Sequence, residues 1–437
     1  MNFRHYLPLL LGALAVAVAL GFAEWRQANP PWAAYQASPE IRVITPSISE
    51  KPELCLTCHF GIEEISKSHP VDVFGCVSCH GGDPLSLDET VAHQSLLGPG
   101  GNPADLGVVE QTCGTSACHG GDISSNHNHI ARVKLSLHAT YAGAINSALQ
   151  AQGIAGPLYG VSAARAILYG PTDTVDMLAA FDPASLNHPA VTNFAENCLS
   201  CHLNAELTAA PYFYRGAGCA ACHTPYADGG LYSGGDPAIP KDEPGHPARH
   251  TLSLIMPYTQ CSQCHARGTY SIETTTFTPR DPATLTGKRE TDYQPHRDPV
   301  AVLCERELDC IDCHNAAEAM GNGHLYPNLN ASPIVECRTC HGTLNEPPPL
   351  VTLTDPNDPA FRRDLLNDNY TLKEGDTVAR APNGEALGAV RWQENRLVLT
   401  SRITGKTFLV PPVQGSACQQ KLDQQEARTC RECHATP

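Results

Sequence analysis

Aromatic residues are scarce in this chain. They make up 6% of its 437 residues and hydrophobic residues 42%, whereas glycine (35) and proline (36) are frequent. These proportions exclude a large conventional core, because the polypeptide cannot bury enough apolar surface of its own. A chain of this kind needs staples or cofactors to supply the missing apolar bulk. We therefore expect little regular secondary structure, with short helices and long loops.

Basic residues are also few. Lysine and arginine number 29 against 45 acidic residues, which gives a formal net charge of −16. This balance argues against nucleic acid or anionic lipid head groups as main partners. It favours a basic partner, or it simply keeps the protein soluble.

Cysteine, in contrast, is abundant and strictly patterned. Eight C-x-x-C-H sequences occur, and a ninth site, 113–119, has four residues between its cysteines. In such a sequence the thiols form thioether bonds to porphyrin vinyl groups, and the adjacent histidine binds the iron. The nine sites use 18 of the 20 cysteines: Cys55, Cys58, Cys76, Cys79, Cys113, Cys118, Cys198, Cys201, Cys219, Cys222, Cys261, Cys264, Cys310, Cys313, Cys337, Cys340, Cys430 and Cys433.

Other uses of paired cysteines do not explain the histidines. Structural zinc needs a tetrahedral set of ligands and gives no reason for histidine directly after every second cysteine. A thioredoxin-like C-x-x-C occurs once, and a disulfide framework belongs to short secreted domains. We therefore predict nine covalent haem c groups.

The histidine count matches that number of irons. The nine proximal ligands are predicted to be His59, His80, His119, His202, His223, His265, His314, His341 and His434. Ten further histidines, besides His5 in the apolar leader, are candidate distal ligands: His69, His93, His127, His129, His138, His188, His246, His250, His296 and His324. Nine irons need nine distal ligands to be six-coordinate, so the supply exceeds the demand by one.

The N-terminus predicts export. Residues 1–23 are predicted to be a membrane anchor or a secretory signal, because 6–23 form a mostly apolar run; cleavage after Ala23 is the alternative. Trp25, Trp32 and Tyr35 follow, as in an interfacial belt, and we expect an uncleaved anchor on the periplasmic side of the cytoplasmic membrane. Residues 24–51 are a linker.

The remaining chain divides by the positions of the sites. Residues 52–125 are predicted to be a three-haem module, 126–182 a helical spacer, and 183–345 a five-haem module. Residues 346–437 are predicted to be a small β-meander plus the last haem, with strands at 372–380, 386–393, 396–403 and 407–410. Cys304 and Cys418 belong to no site; a disulfide is expected, with Cys304 as a thiolate ligand the alternative.

Four stretches carry a resemblance to a known family. They read Cys261-Ser-Gln-Cys-His-Ala-Arg-Gly, Cys310-Ile-Asp-Cys-His, Met320-Gly-Asn-Gly and Cys337-Arg-Thr-Cys-His-Gly-Thr. The chain resembles bacterial exported multihaem c-type cytochromes over about residues 25–345 and the last site. The resemblance implies loops and short helices wrapped around a stacked row of bis-histidine haems that pass electrons. Octahaem tetrathionate and hydroxylamine enzymes are more distant relatives, and no site here reads C-x-x-C-K.

The predicted function is electron transfer through nine haems between membrane or periplasmic and extracytoplasmic redox partners. We expect a carrier rather than an enzyme. One alternative is a reductase of nitrogen or sulfur oxyanions with one open haem. Another is a subunit of a conductive filament, which leaves an oligomer open.

Overall fold

The computed structural model describes residues 7–28, 41–115, 118–121, 127–161, 167–169, 177–203, 205, 214–227, 229–261, 263–265, 268–271, 274–279, 301–302, 307–364, 367–416 and 435–436. The chain forms two compact units. The first comprises Met1–Leu96 with Gly234–Lys241, and the second comprises Leu97–Ser233 with Asp242–Pro437. The boundaries of haem modules that the sequence suggests remain a prediction.

The first unit begins with helix α1 (Leu7–Ala28), whose apolar residues from Leu14 to Trp25 are solvent-exposed. Over the residues whose side chains the structure describes, no helix is long and apolar enough to cross a membrane. The predicted membrane anchor therefore remains a prediction.

Single helical turns follow in the first unit, at Cys55–Thr57, α2 (Val71–Phe74), α3 (Val77–His80) and α4 (Glu89–His93).

Within the second unit, the predicted helical spacer (126–182) contains three short helices at its N-terminal end: α5 (His129–Leu135), α6 (Leu137–Thr140) and α7 (Ala142–Ala151). The breaks have local causes. The Ser136 side chain caps α6, and Tyr141 adopts a left-handed conformation (φ 53°) before α7.

The rest of the second unit has short elements between loops. A small sheet of β1 (Tyr159–Gly160), β2 (Ile167–Tyr169) and β3 (Met177–Ala180) was not expected. The helices are α8 (Pro189–Cys198), α9 (Ala220–His223), α10 (Tyr258–Cys261), α11 (Cys310–Cys313), α12 (Ala316–Met320) and α13 (Cys337–His341). Two-stranded pairs join β4 (Gly268–Ser271) to β5 (Thr276–Pro279) and β6 (Ala301–Val302) to a strand at Ala435–Thr436.

The C-terminal meander is confirmed. Four antiparallel strands follow the expected order, and a fifth strand, β7 (Leu350–Thr352), joins the edge; only three residues long, it gave no alternating pattern. The others are β8 (Thr377–Arg380), β9 (Ala386–Gln393), β10 (Arg396–Thr400) and β11 (Thr407–Val410). The turn between β9 and β10 has positive φ at both Glu394 (46°) and Asn395 (62°), as a tight hairpin requires.

Both faces of this sheet are buried. One face packs Tyr370, Leu372 and Val378 under helix α14 (Pro359–Asp364). The opposite face packs Leu387 and other apolar residues against Cys313 and Cys340. The meander is therefore part of the core that holds two of the cysteine sites.

The face beneath α14 leaves no room for a side chain at Gly388. A Cβ there would overlap the Asp364 carboxylate, which accepts a 2.9 Å hydrogen bond from the Tyr370 hydroxyl. We expect Gly388→Ala to lower the free energy of unfolding by about 1–3 kcal/mol, measured by urea unfolding with circular dichroism. Gly143→Ala is the matched control, because a Cβ at that position of α7 meets nothing closer than 3.5 Å. Equal midpoints for the two variants would contradict the prediction.

Candidate haem-binding sites

Most of the described cysteine motifs share one helical turn. The amide of the motif histidine donates to the carbonyl of the first cysteine at 2.8–3.0 Å, at sites 55–59, 76–80, 219–223, 261–265 and 310–314. Helix α13 carries the 337–341 motif in the same conformation. Residues i, i+3 and i+4 of a helix lie on one face. The turn therefore presents both thiols and the imidazole together, as attachment to one porphyrin requires.

The site with four intervening residues reaches the same closure. The His119 amide donates to the Cys113 carbonyl at 2.9 Å, although two more residues lie between them. Close backbone approach makes this possible, because a Cβ on Gly120 would overlap the Gly114 carbonyl. The Thr115 hydroxyl contacts the Cys118 sulfur at 3.1 Å. The longer spacing thus keeps the hydrogen bond that the other motifs have.

The 198–202 site differs. A 3₁₀ turn (Leu199–Cys201) follows α8, and the His202 amide donates to Leu199 instead of Cys198. The His202 Nε2 makes a short contact with the Ala139 carbonyl. In this structure the ring is thus turned to the backbone, and its role as a ligand remains a prediction.

Three motif histidines lie beside a histidine from the predicted distal set. The ring centroids are 6.1 Å apart for His59 and His93, 5.4 Å for His119 and His129, and 6.0 Å for His138 and His265. An axial bond of about 2 Å on each side of an iron, plus roughly 1 Å from each nitrogen to its ring centroid, gives roughly 6 Å. The pairs have the spacing that a shared iron would need.

Burial keeps several of these rings neutral. It lowers the pKa of His129 and of His265 to about 4, and neighbouring histidines add to the effect. Burial also lowers the pKa of His138. Metal binding requires the neutral imidazole, and burial favours that form of these rings.

Other distal candidates have varied surroundings. The Nδ1 atoms of His188 and His324 are buried without a hydrogen-bond partner, which is costly for a polar atom unless a ligand or metal satisfies the ring. His69 Nδ1 lies 3.0 Å from the Ser66 hydroxyl. His127 Nε2 accepts from Arg362 at 2.8 Å.

Some predicted residues cannot be compared. His246 and His250 lie in a segment of bends rather than on a helix. His296 and the last site, with Cys430, Cys433 and His434, lie outside the described residues, as do Cys304 and Cys418.

Four motif histidines donate a hydrogen bond from Nδ1 to an oxygen atom, which leaves Nε2 as the nitrogen available for an iron. His223 and His341 face the carbonyls of Ser253 (2.9 Å) and Pro411 (2.8 Å). His59 and His314 instead face the carboxylates of Asp236 (2.6 Å) and Glu318 (2.9 Å). The Asp236 hydrogen bond raises the pKa of His59.

Sequence reasoning missed these four acceptors. One signal existed for Asp236. Gly-Gly-Asp follows His80 and His119, and its third copy, 234–236, is the one with no motif histidine before it.

Cysteines of different motifs also lie close together. The thiol of Cys55 hydrogen-bonds Cys76, and that of Cys261 hydrogen-bonds Cys310. Burial raises the pKa of Cys219 to about 12, and the nearby Cys113 adds to the shift. Burial and the neighbouring Cys264 likewise raise the pKa of Cys222 to about 11. The sites at 55–59 and 76–80, and those at 261–265 and 310–314, therefore come within side-chain contact.

Hydrogen bonds hold successive sites of the second unit together. The Gln260 side chain, in α10, donates to the carbonyls of Ala221 (3.3 Å) and Thr224 (2.7 Å) at the 219–223 site. The Tyr258 amide donates to the Asp309 carboxylate just before α11. Cys313 and Cys340 share one apolar cluster. Sites 219–223, 261–265, 310–314 and 337–341 are thus linked in chain order, and Cys113 and Cys219 pack against one apolar cluster.

Residues 260–342 match the family model described as cytochrome c554 and c-prime. The match spans α10 to α13 and contains three of the motifs, at 261–265, 310–314 and 337–341. It supports a multihaem c-type cytochrome with covalent haem c, and it suggests electron transfer. No curated protein and no solved structure matches the chain significantly.

The residues fit this group. The shared turn brings two thiols and an imidazole to one face, three further histidines lie at axial spacing, and two buried ring nitrogens lack a partner. A low content of apolar side chains agrees with porphyrin bulk in the core.

Glu53 joins the first two sites. It is 2% exposed, and its carboxylate accepts from the amides of Cys76 (2.7 Å) and Val77 (3.3 Å), where α3 begins. We expect Glu53→Ala to cost about 1–3 kcal/mol, because it leaves both amides without their acceptor. Urea unfolding of the haem-loaded protein measures the loss. Glu53→Gln retains an acceptor and should lose less; equal losses for the two variants would contradict this role.

Proposed function

We propose that the protein is a nine-haem electron carrier. The observation that carries the proposal is the pairing of motif histidines with distal candidates at centroid distances of 5.4–6.1 Å. The contacts between neighbouring motifs add to it, because electrons pass efficiently only between closely spaced porphyrins. The family match over 260–342 agrees with this class of protein.

The geometry supports specific distal assignments. His93 would complete the iron at His59, His129 the iron at His119, and His138 the iron at His265. Ten candidates for nine irons leave one spare. His127 is assigned as that spare, because its Nε2 accepts a hydrogen bond from Arg362, a residue that can only donate.

The haem iron supplies the one-electron couple when bound. Two cysteines and the motif histidine of each site would hold one porphyrin, and the distal histidines would fill the remaining position on each iron. An occupied sixth position would keep substrates off the iron. Because the coordination would be the same in both oxidation states, the reorganisation energy of electron transfer would be small. In the second unit the proposed row runs through sites 113–119, 219–223, 261–265, 310–314 and 337–341.

The proposed partners are redox proteins outside the cytoplasm. Attachment of haem c and twenty cysteines both suit an exported protein. A membrane complex is proposed as one partner, reached through the apolar N-terminal residues. The excess of acidic residues favours a partner with a basic docking surface.

Haem counting tests the composition. We expect the denatured protein to exceed its polypeptide mass by nine haems, with uniformly low-spin ferric iron by electron paramagnetic resonance. Cys118→Ser should weaken attachment at site 113–119 only, because it removes one of that site's two thioethers. A high-spin signal that shifts when nitrite, hydroxylamine or tetrathionate is added would instead support a reductase.

The axial assignments give a second test. His138→Ala should leave the iron at His265 without its distal ligand, so one haem in nine becomes high-spin and binds cyanide. His127→Ala is the matched control and should stay fully low-spin, because His127 is the proposed spare. The assignments would be wrong if His127→Ala produced the high-spin haem and His138→Ala did not.

A further inference from the structure

The partners of the motif histidines differ in charge although the motifs are alike. His223 and His341 donate Nδ1–H to neutral backbone carbonyls. His59 donates to a carboxylate, Asp236, at 2.6 Å. A carboxylate is a stronger acceptor than a carbonyl, and an ionised one can only accept. The proton must therefore lie on Nδ1, which leaves Nε2 of His59 for an iron.

Asp236 is built into its position. It is 0% exposed, and its second oxygen accepts from the Ala238 amide at 2.8 Å. Its segment is fixed from two sides. Lys241 donates to the carbonyl of Asp236 at 2.9 Å, and the Glu63 carboxylate accepts from the Gly235 amide at 2.6 Å.

The backbone of residues 234–236 can approach His59 because it crosses the backbone at Gly61 closely. A Cβ on Gly61 would overlap the Gly235 carbonyl, and a Cβ on Gly235 would overlap that of Gly61. Gly61 lies two residues after His59, so the crossing brings residue 236 beside the imidazole. Burial of a carboxylate at this point is costly unless it is used in hydrogen bonds.

The second carboxylate partner is weaker. Glu318 shares its oxygens among His314, the Asn315 amide (3.2 Å) and the Val335 amide. The His314 side chain is 63% exposed, whereas His59 is 29% exposed. Water and the competing donors therefore weaken the electrostatic effect of the Glu318 carboxylate on the His314 ring.

We propose that Asp236 lowers the reduction potential of the haem at site 55–59, acting through His59. This inference rests on the proposed function, in which His59 binds an iron. A carboxylate on Nδ1–H increases the electron donation of the ring, which stabilises the ferric state, the state with one more positive charge. The effect is larger at a buried site, where the dielectric constant is low. Asp236 is thus a positioning residue, because it acts through its hydrogen bond to His59.

Redox titration of the full haem-loaded protein tests the proposal. In Asp236→Asn one haem should shift its ferric–ferrous equilibrium toward ferrous by tenfold or more, an upward shift of at least about 59 mV for one electron. Glu318→Gln should shift a different haem by less. Asp72→Asn is the matched control, because it removes one exposed carboxylate from the same unit and should change no midpoint.

Two further measurements separate the possible failures. Mass mapping of peptides containing residues 55–59 shows whether the site carries haem in the wild type; its absence would refute the proposed function at this site. With the haem present and low-spin, an unshifted titration of Asp236→Asn would overturn the role of Asp236 alone. If Asp236→Asn fails to fold, Asp236→Ser, another neutral residue, is measured against the same criterion.

Discussion

The hydrogen bond from the motif histidine to the first cysteine is the constraint on which the arrangement depends. It closes one helical turn, so two thiols and an imidazole face the same side. A turn this short has no stability of its own, because forming the first turn of a helix is unfavourable. Its stability must come from neighbouring contacts and from the porphyrin that the residues hold. Most of the described cysteine motifs accordingly lie in single turns that loops connect.

The meander shows how such turns gain support. Its strands turn Leu387, Val390 and Leu399 toward Cys313 and Cys340. The Arg402 amide donates to the Asp312 carboxylate within α11, and the Pro411 carbonyl accepts from His341. Asp312 is buried, and this burial raises the pKa of its carboxyl. The strands of this sheet contain no cysteine motif, but the sheet positions the sites at 310–314 and 337–341.

Identical motifs acquire different properties from their surroundings. The 55–59 and 219–223 turns have the same closing bond, but one histidine faces a buried carboxylate and the other a backbone carbonyl. Axial donation, burial and local charge set the potential of a haem. One repeated sequence pattern thus has histidine partners that differ in charge.

The sequence by itself determined the attachment chemistry and the order of the meander, because both depend on spacing over a few residues. Cysteine and histidine in one turn need no distant partner, and the hairpins are formed by neighbouring strands. The sequence could not show that His138 lies beside His265, or that Cys113 and Cys219 pack against one apolar cluster, because such contacts join remote segments. The hydrogen bond between Asp236 and His59 could not be predicted for the same reason, because the two residues are 177 positions apart. Only the tertiary structure decided these partners, since a close backbone crossing at Gly61 and Gly235 brings that carboxylate to the ring.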